Sequence, residues 1–458
     1  MHQVPGIPAP PIPARVATAE HAAHNEAAHV DTPPPDVPVG RNGAFVTFWA
    51  GQAISQVGDA VGGLALPLLV LALTGSALHM GTVIAILAAP LAVIGIPAGV
   101  LVDRLNRRLT MLICDALRAA LFVGLAVAAV FNLLDLWVLY AAAALLGILQ
   151  VFFYLAGQTA VPSLVARGRI VQANSWVQAA AAASGLLGLP VAGILIADIG
   201  PGRALAVDGI TFVVSAISLA AVRRSFAHPV PLPAPRRRQP HSIFGALGDV
   251  LRATLTGVGI IWRTPVLRGA TLLSIGLNLL LSLGSAAGLF RLKHDLSFSA
   301  MLIGFIFAGA SAGAVALALA AGPLRRRLGF ARALLLAVAI QAPLALGIGW
   351  VTNSVALGVC YAFSSGAGSL FSVTTISLRQ TITPGALLGR VSAAVQTASA
   401  LAITLGTFLG GLLTVALGAS LTFTVMAGGL VLLVALAILG GVQRLDPRGP
   451  AAEPYWSM

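Results

Sequence analysis

Twelve apolar runs, each near 20 residues long, fill this chain between about residues 44 and 443. A run of that length crosses the hydrocarbon core of a bilayer as one helix, whereas strands of a membrane barrel show alternation over only about 10 residues. Composition agrees: charged residues are 9% and hydrophobic residues 58% of the chain, with a mean hydropathy of +0.95. A soluble domain carries about 25% charged residues. The expected fold is therefore all-α and membrane-integral, with 12 transmembrane helices. No signal peptide is expected, because the first ~40 residues carry Pro33, Pro34, Pro35, Glu20 and Asp31 in place of an apolar core.

The formal charge is +13. In a soluble chain that would suggest nucleic acid, but the positions of the charges favour topology. With the N-terminus inside, all of the 27 Lys and Arg residues except Arg203, Arg291 and Lys293 fall on the cytoplasmic side, as the positive-inside rule requires. The chain is thus expected in the inner or plasma membrane with both termini cytoplasmic, and no nucleic-acid partner. Cys114 and Cys360 lie in separate apolar runs, which offers no disulfide framework and no metal site. His21, His24 and His29 fit a solvated tail better than a metal site.

The runs fall into two similar sets of six. "GQTAVPSLVARGR" (Gly157 to Arg169) returns as "RQTITPGALLGR" (Arg379 to Arg390), and Gly99 returns as Gly322 at nearly the same offset. Gly193 and Gly200 return as Gly411 and Gly418, the two pairs sharing one slightly shorter offset. Parallel six-helix repeats related by an axis along the membrane normal are a transporter architecture. The expected segments are a disordered cytoplasmic tail (1–43), a first half (44–222), a cytoplasmic linker with a surface helix (223–265), a second half (266–443) and a short cytoplasmic tail (444–458).

Between the second and third runs stands "GVLVDRLNRR". It resembles the signature loop between helices 2 and 3 of the major facilitator superfamily, with Gly99, Asp103, Arg104, Arg107 and Arg108 matching. Asn106 replaces the usual glycine, and asparagine tolerates a left-handed turn. "FWAGQAISQVGDAV", "ANSWVQA", "AVDGITF" and "WRTPVLRG" further resemble the branch that holds enterobactin exporters and macrolide-efflux proteins. The resemblance covers about residues 44–443. It implies alternating-access export of a bulky amphipathic compound driven by proton entry, with no cofactor, small molecules and protons as partners, and one chain as the working unit. It also implies that Asp103 contacts the cytoplasmic end of helix 11, here Pro384 to Arg390, when the halves close on that side. Arg326 holds the aspartate position in the second copy.

An acid inside a membrane span costs roughly 2.5–3.5 kcal/mol on insertion scales. Asp59, mid-run, is therefore the candidate coupling residue, and its counterpart in the repeat is Ser285. Gln52, Ser55 and Gln56 share its helix at positions i−7, i−4 and i−3. Asp115 and Arg118, spaced i, i+3, read as an intrahelical pair near the inner end of helix 3 that supports the gate together with Arg390. Asp198 and Asp208 read as interfacial, with a place facing the cavity as the alternative for Asp208. A mostly neutral set is expected to line a substrate cavity: Gln52, Ser55, Gln56, Gln150, Tyr154, Asn278, Ser282, Phe371, Thr375 and Gln396. "SGLLGLPVAG" resembles the family's helix 5 antiporter motif with its proline one place late, and helix 4 lacks the arginine of many drug–proton antiporters.

No catalytic constellation competes with this reading. The sequence has no HExxH, no serine–histidine pair at a common depth and no nucleotide loop, so an enzyme is not expected. Uptake by proton symport and a non-transporting sensor remain the alternatives, though the tails are short for a sensor domain.

Overall fold

The computed structural model describes residues 37–102, 104–222 and 243–441. Asp103, the first 36 residues, most of the linker before Ile243 and the C-terminal tail lie outside the described residues. The elements are α1 (Gly43–Thr74), α2 (Ala77–Val102), α3 (Arg107–Val130), α4 (Leu136–Leu164), α5 (Ile170–Ile199) and α6 (Pro201–Ala221). A connecting helix, α7 (Ile243–Arg263), is followed by α8 (Pro265–Asp295), α9 (Ala300–Leu328) and α10 (Phe330–Trp350). The order closes with α11 (Ser354–Ile382), α12 (Gly385–Leu417) and α13 (Ala419–Leu439). Every helix but α7 is long and apolar enough to span a membrane, making 12, and the described residues contain no strand.

Local chemistry sets the helix ends. Asn42 accepts from the Phe45 amide and donates to the Leu164 carbonyl, fixing the start of α1 against the end of α4. Asn106 caps α3 by accepting from the Leu109 amide at 3.1 Å. Its φ of −69° and ψ of 109° are extended, so the expected left-handed turn is absent. Asparagine belongs there as a cap worth about 1 kcal/mol. Helix α5 passes through one wide π-turn at Ser184–Gly188. Pro190 follows two residues after the turn and cannot donate a backbone bond to Leu186, so the wider register relieves the break.

The repeat is visible in the backbone. Gly200 precedes α6 with φ 81° and ψ 159°, and Gly418 precedes α13 with φ 85° and ψ 160°. Both conformations are essentially restricted to glycine.

The arginine-rich ends of the helices, from Arg104 to Arg108 and near Arg325, Arg379 and Arg390, define a basic end of the bundle. At the opposite end one apolar core unites both halves. It joins Leu66, Leu69, Met80 and Ile196 of the first half to Leu289, Leu292, Ile303 and Leu357 of the second. Near the basic end the cores are separate. Phe45, Phe48, Met111 and Leu164 pack within the first half, while Ile261 of α7 packs with Val391 and Val395 of the second.

The halves touch chiefly through α2 on α12 and α5 on α9. A side chain on Gly81 would meet the Gly411 Cα at 3.0 Å, and one on Gly193 would meet the Met301 Cα at 3.0 Å. The far end is therefore closed, backbone on backbone. Helix α7 crosses the basic end, packing against α12 where Gly257 abuts the Arg390 carbonyl, and reaching α2.

Candidate transport site

Three helices of the first half converge on one charged cluster. On α3, Asp115, Arg118 and Phe122 share a face at i, i+3 and i+7. On α6, Asp208, Thr211, Phe212 and Ser215 do the same. Helix α1 supplies Gln52 and Asp59. Arg118 Nη1 lies 3.9 Å from Asp59 Oδ1, and Arg118 Nη2 lies 3.4 Å from Asp115 Oδ1. The guanidinium packs against two rings, Phe153 at 4.2 Å and Phe212 at 4.5 Å from its centre. Such stacking stabilises a desolvated guanidinium by about 2 kcal/mol.

Asp115 is held from the other direction. Ser215 Oγ donates to its Oδ2 at 2.6 Å, and Gln52 Nε2 donates to Ser215 Oγ at 3.0 Å. The side chains of Asp115 and Arg118 are 0% and 4% exposed, while that of Asp59 is 41% exposed. The cluster therefore has two buried members and one open one.

The pair placed near the end of helix 3 from sequence sits deeper. Helix α3 begins at Arg107, so Arg118 is its twelfth residue of 24 and reaches Asp59, the seventeenth of 32 in α1. Asp208 is also not interfacial: it is 1% exposed, with its carboxylate packed against Gly58 and Gly62. Two missing side chains on α1 open the slot that admits it. Asp198 is exposed at the far end.

A cavity of about 480 Å³ opens between the halves nearer the basic end. Its walls are Gly95, Ile96 and Gly99 of α2, Tyr154 and Gln158 of α4, and Gln396 and Thr397 of α12. Of the expected lining residues, the structure brings Tyr154 and Gln396 together here. Gln150 is exposed on α4 and Ser55 is buried in α1. The Gln56 carbonyl accepts from Ser184 at the π-turn. Asn278 donates to the Ser274 carbonyl of its own helix, and Ser282 packs where α8 crosses Gly406. Phe371 and Thr375 are buried in the second half's core, the Thr375 hydroxyl donating to the Phe371 carbonyl. Gln158, Thr397, Phe153, Phe212 and Ser215 are not among the residues expected from sequence. The i, i+4 and i+7 spacing of Phe212 and Ser215 from Asp208 is the available signal.

Of the expected gate, Gly99 lines the cavity and Arg104 is exposed in the turn after α2. Arg107 is buried, and Arg108 donates to the Leu219 and Ala220 carbonyls at 2.9 and 2.6 Å. A cation at those last carbonyls of α6 complements the helix dipole. Asp103 lies outside the described residues, so its contact with the start of α12 is not placed. Among the described residues, no three His, Cys, Asp or Glu side chains converge as a metal site.

Comparison with known proteins agrees with this architecture. The chain is 27% identical to the enterobactin exporter EntS of Escherichia coli O127:H6 over 426 residues, covering 90% of this chain and 96% of that protein. Its fold matches an inward-facing, unoccupied bacterial homologue of the human lysosomal transporter Spinster, with a TM-score of 0.66 and 12% identity. That match covers 90% of this chain and 97% of the other. A bacterial homologue of the iron transporter ferroportin, also inward-facing, matches with a TM-score of 0.63 and 19% identity, covering 88% and 98% of the two chains. The profile of the Major Facilitator Superfamily matches residues 48–364 and 281–455. With twelve spans in two repeated halves, this multi-pass membrane protein belongs to the major facilitator superfamily.

Proposed function

We propose that the chain is a proton-coupled exporter of a bulky amphipathic organic compound, working by alternating access in the inner membrane. One observation carries the reading. Cavity and carboxylate cluster meet on α4, where Phe153 covers Arg118 and the next residue, Tyr154, lines the cavity. A ligand against Tyr154 is one residue from the group that holds Asp59. A proton on Asp59 weakens its hold on Arg118, the guanidinium turns wholly to Asp115, and Phe153 shifts with it. Substrate and proton then act on one element from opposite sides, as a coupled carrier requires.

The topology gives the access state, which exporters and importers share. The positive-inside rule puts the basic end in the cytoplasm, so the closed far end and the cavity toward the basic end describe an inward-facing carrier. Leaving the cytoplasm is the first step of export. The lining is neutral and partly aromatic, which suits macrolides, dyes or a siderophore; the similarity to an enterobactin exporter supports the last. Gly99, Asp103, Arg104, Arg107, Arg108 and Arg390 are proposed to close the cytoplasmic gate.

The test uses energised inverted vesicles loaded with a pH-sensitive dye, to which macrolides, enterobactin and cationic dyes are added. Proton release on substrate addition in wild type, lost in Asp59→Asn, is the expected result. Release that survives in Asp59→Asn moves the coupling site. Proton uptake together with the compound would replace export by symport.

A further inference from the structure

We infer that Asp208 is a second proton site, loaded and shut away from water in this conformation, while Asp59 is the site that water reaches. The inference rests on the proton-coupled reading above and extends it from one carboxylate to two.

Asp208 is the most isolated acid of the cluster. It is 1% exposed, its Oδ2 has no hydrogen-bond partner, and its Oδ1 has only the Thr211 hydroxyl at 3.4 Å. That hydroxyl already donates to the Asp208 carbonyl at 2.8 Å, so little of it remains for the carboxylate. Both carboxylate oxygens press on α1 at Gly58 and Gly62, the positions one before and three after Asp59.

The surrounding charges do not offset an ionised Asp208. Helix α1 presents Asp59, a like charge. Helix α3 presents Asp115, another like charge, and Arg118, which is already shared between Asp59 and Asp115. Helix α5 carries no charged residue between Ile170 and Ala197. One guanidinium thus serves three carboxylates, and Asp208 is the buried one outside its two ion pairs. An isolated buried carboxylate neutralises itself by taking a proton, and carboxylates sharing a site cannot all ionise. The slot between two glycines holds a proton and has no room for a larger cation.

The position gives this proton a task. Asp208 touches α1 on either side of Asp59, so α1 and α6 stay pressed together while Asp208 is neutral. When the proton leaves, a bare charge lies against Gly58 and Gly62, and that contact has to open. Asp59 exchanges with the water of one conformation, and Asp208 exchanges only after the helices part. Two carboxylates then discharge in sequence within one cycle.

Infrared difference spectroscopy on the full chain in lipid nanodiscs reads the protons directly and needs no substrate. At neutral pH the wild type should show the carbonyl stretch of a protonated carboxylic acid. Asp208→Asn should lose that band, and Asp59→Asn should keep it. On acidification, wild type and Asp208→Asn should gain a further band that Asp59→Asn lacks. Thr211→Val, which removes the one weak donor without touching the acid, should shift the first band and not abolish it. Superimposable neutral-pH spectra of wild type and Asp208→Asn would overturn the second site. Loss of the first band in Asp208→Asn with normal acid titration in Asp59→Asn would leave Asp208 standing and remove Asp59 from the coupling role.

Discussion

Gly193 and Gly411, equivalent positions of the two halves, make the same contact in opposite directions across the molecule. A side chain on Gly193 would strike the Ala300 carbonyl, and one on Gly411 would strike the Ala77 carbonyl. Ala77 and Ala300 are themselves repeat partners, as are their neighbours in the contact, Gly81 and Gly304. The closed end is therefore a pair of pseudo-symmetric seams, α2 on α12 and α5 on α9, in which bare backbone meets bare backbone. Dispersion over such close contacts is what associates helices in lipid, where apolar side chains have no water to escape.

Overpacking these seams should open them. A leucine at Gly304 falls on the Leu189 carbonyl and the Gly193 Cα, and overpacking typically costs about 1–3 kcal/mol. Because only the far-end-closed state has this contact, its ratio to the opened state should drop by about 5- to 150-fold. Labelling of Gln396→Cys by a membrane-impermeant maleimide, with Cys114 and Cys360 replaced by alanine, should slow accordingly in inverted vesicles. An unchanged rate would mean that the seams do not set the equilibrium.

The paired turns at Gly200 and Gly418 give a second expectation. Both adopt φ above 80° with ψ near 160°, a region that costs other residues about 1–3 kcal/mol. Gly200→Ala and Gly418→Ala should each lower the thermal midpoint in detergent by a similar amount. The double variant should show the sum, since one turn lies in each half.

Arg118 has a counterpart with no charge. Gln341, at the same offset from it as Ala300 from Ala77, is buried in the second half and exchanges two hydrogen bonds with Ser364. The position of Asp115 is held there by Val338. The fold thus accepts a neutral pair at this depth, and the charges of the first half serve something else. Arg118→Gln alone strands buried Asp115 and should cost about 3–5 kcal/mol. Arg118→Gln with Asp115→Val restores the second half's composition and should recover most of that stability in an unfolding titration, while leaving proton coupling impaired.

Much of this is legible in the residues. Span number, the repeat offsets, the pairing of Gly193 with Gly411 and the intramembrane position of Asp59 all follow from hydropathy and spacing along one dimension. What one dimension does not hold is which faces meet. Hydropathy is nearly the same all round a lipid-embedded helix, so it marks Phe371 by depth but not by direction, and it leaves Asp208 misplaced even in depth. Asp208 reads as interfacial because Gly58 and Gly62, which make its slot, lie on a helix far earlier in the chain. Arg118 reads as a partner for Asp115 alone because its reach to Asp59 depends on how α1 crosses α3. Asn106 reads as a turn residue, and only the backbone angles identify it as a cap.

The two aromatic residues expected in the cavity should behave differently. Tyr154 lines the opening between the halves, whereas Phe371 is 5% exposed in the second half's core. Tyr154→Ala should weaken binding of a fluorescent cationic dye, read by anisotropy, by about tenfold. A ring contact contributes about 0.5–1.5 kcal/mol beyond its buried area, and stability should barely change. Phe371→Ala should leave the dye affinity of the folded fraction within about twofold and cost about 3–5 kcal/mol in stability. If Phe371→Ala abolished dye binding in protein that remained folded, while Tyr154→Ala bound normally, the ligand would lie deeper than this cavity and within the second half.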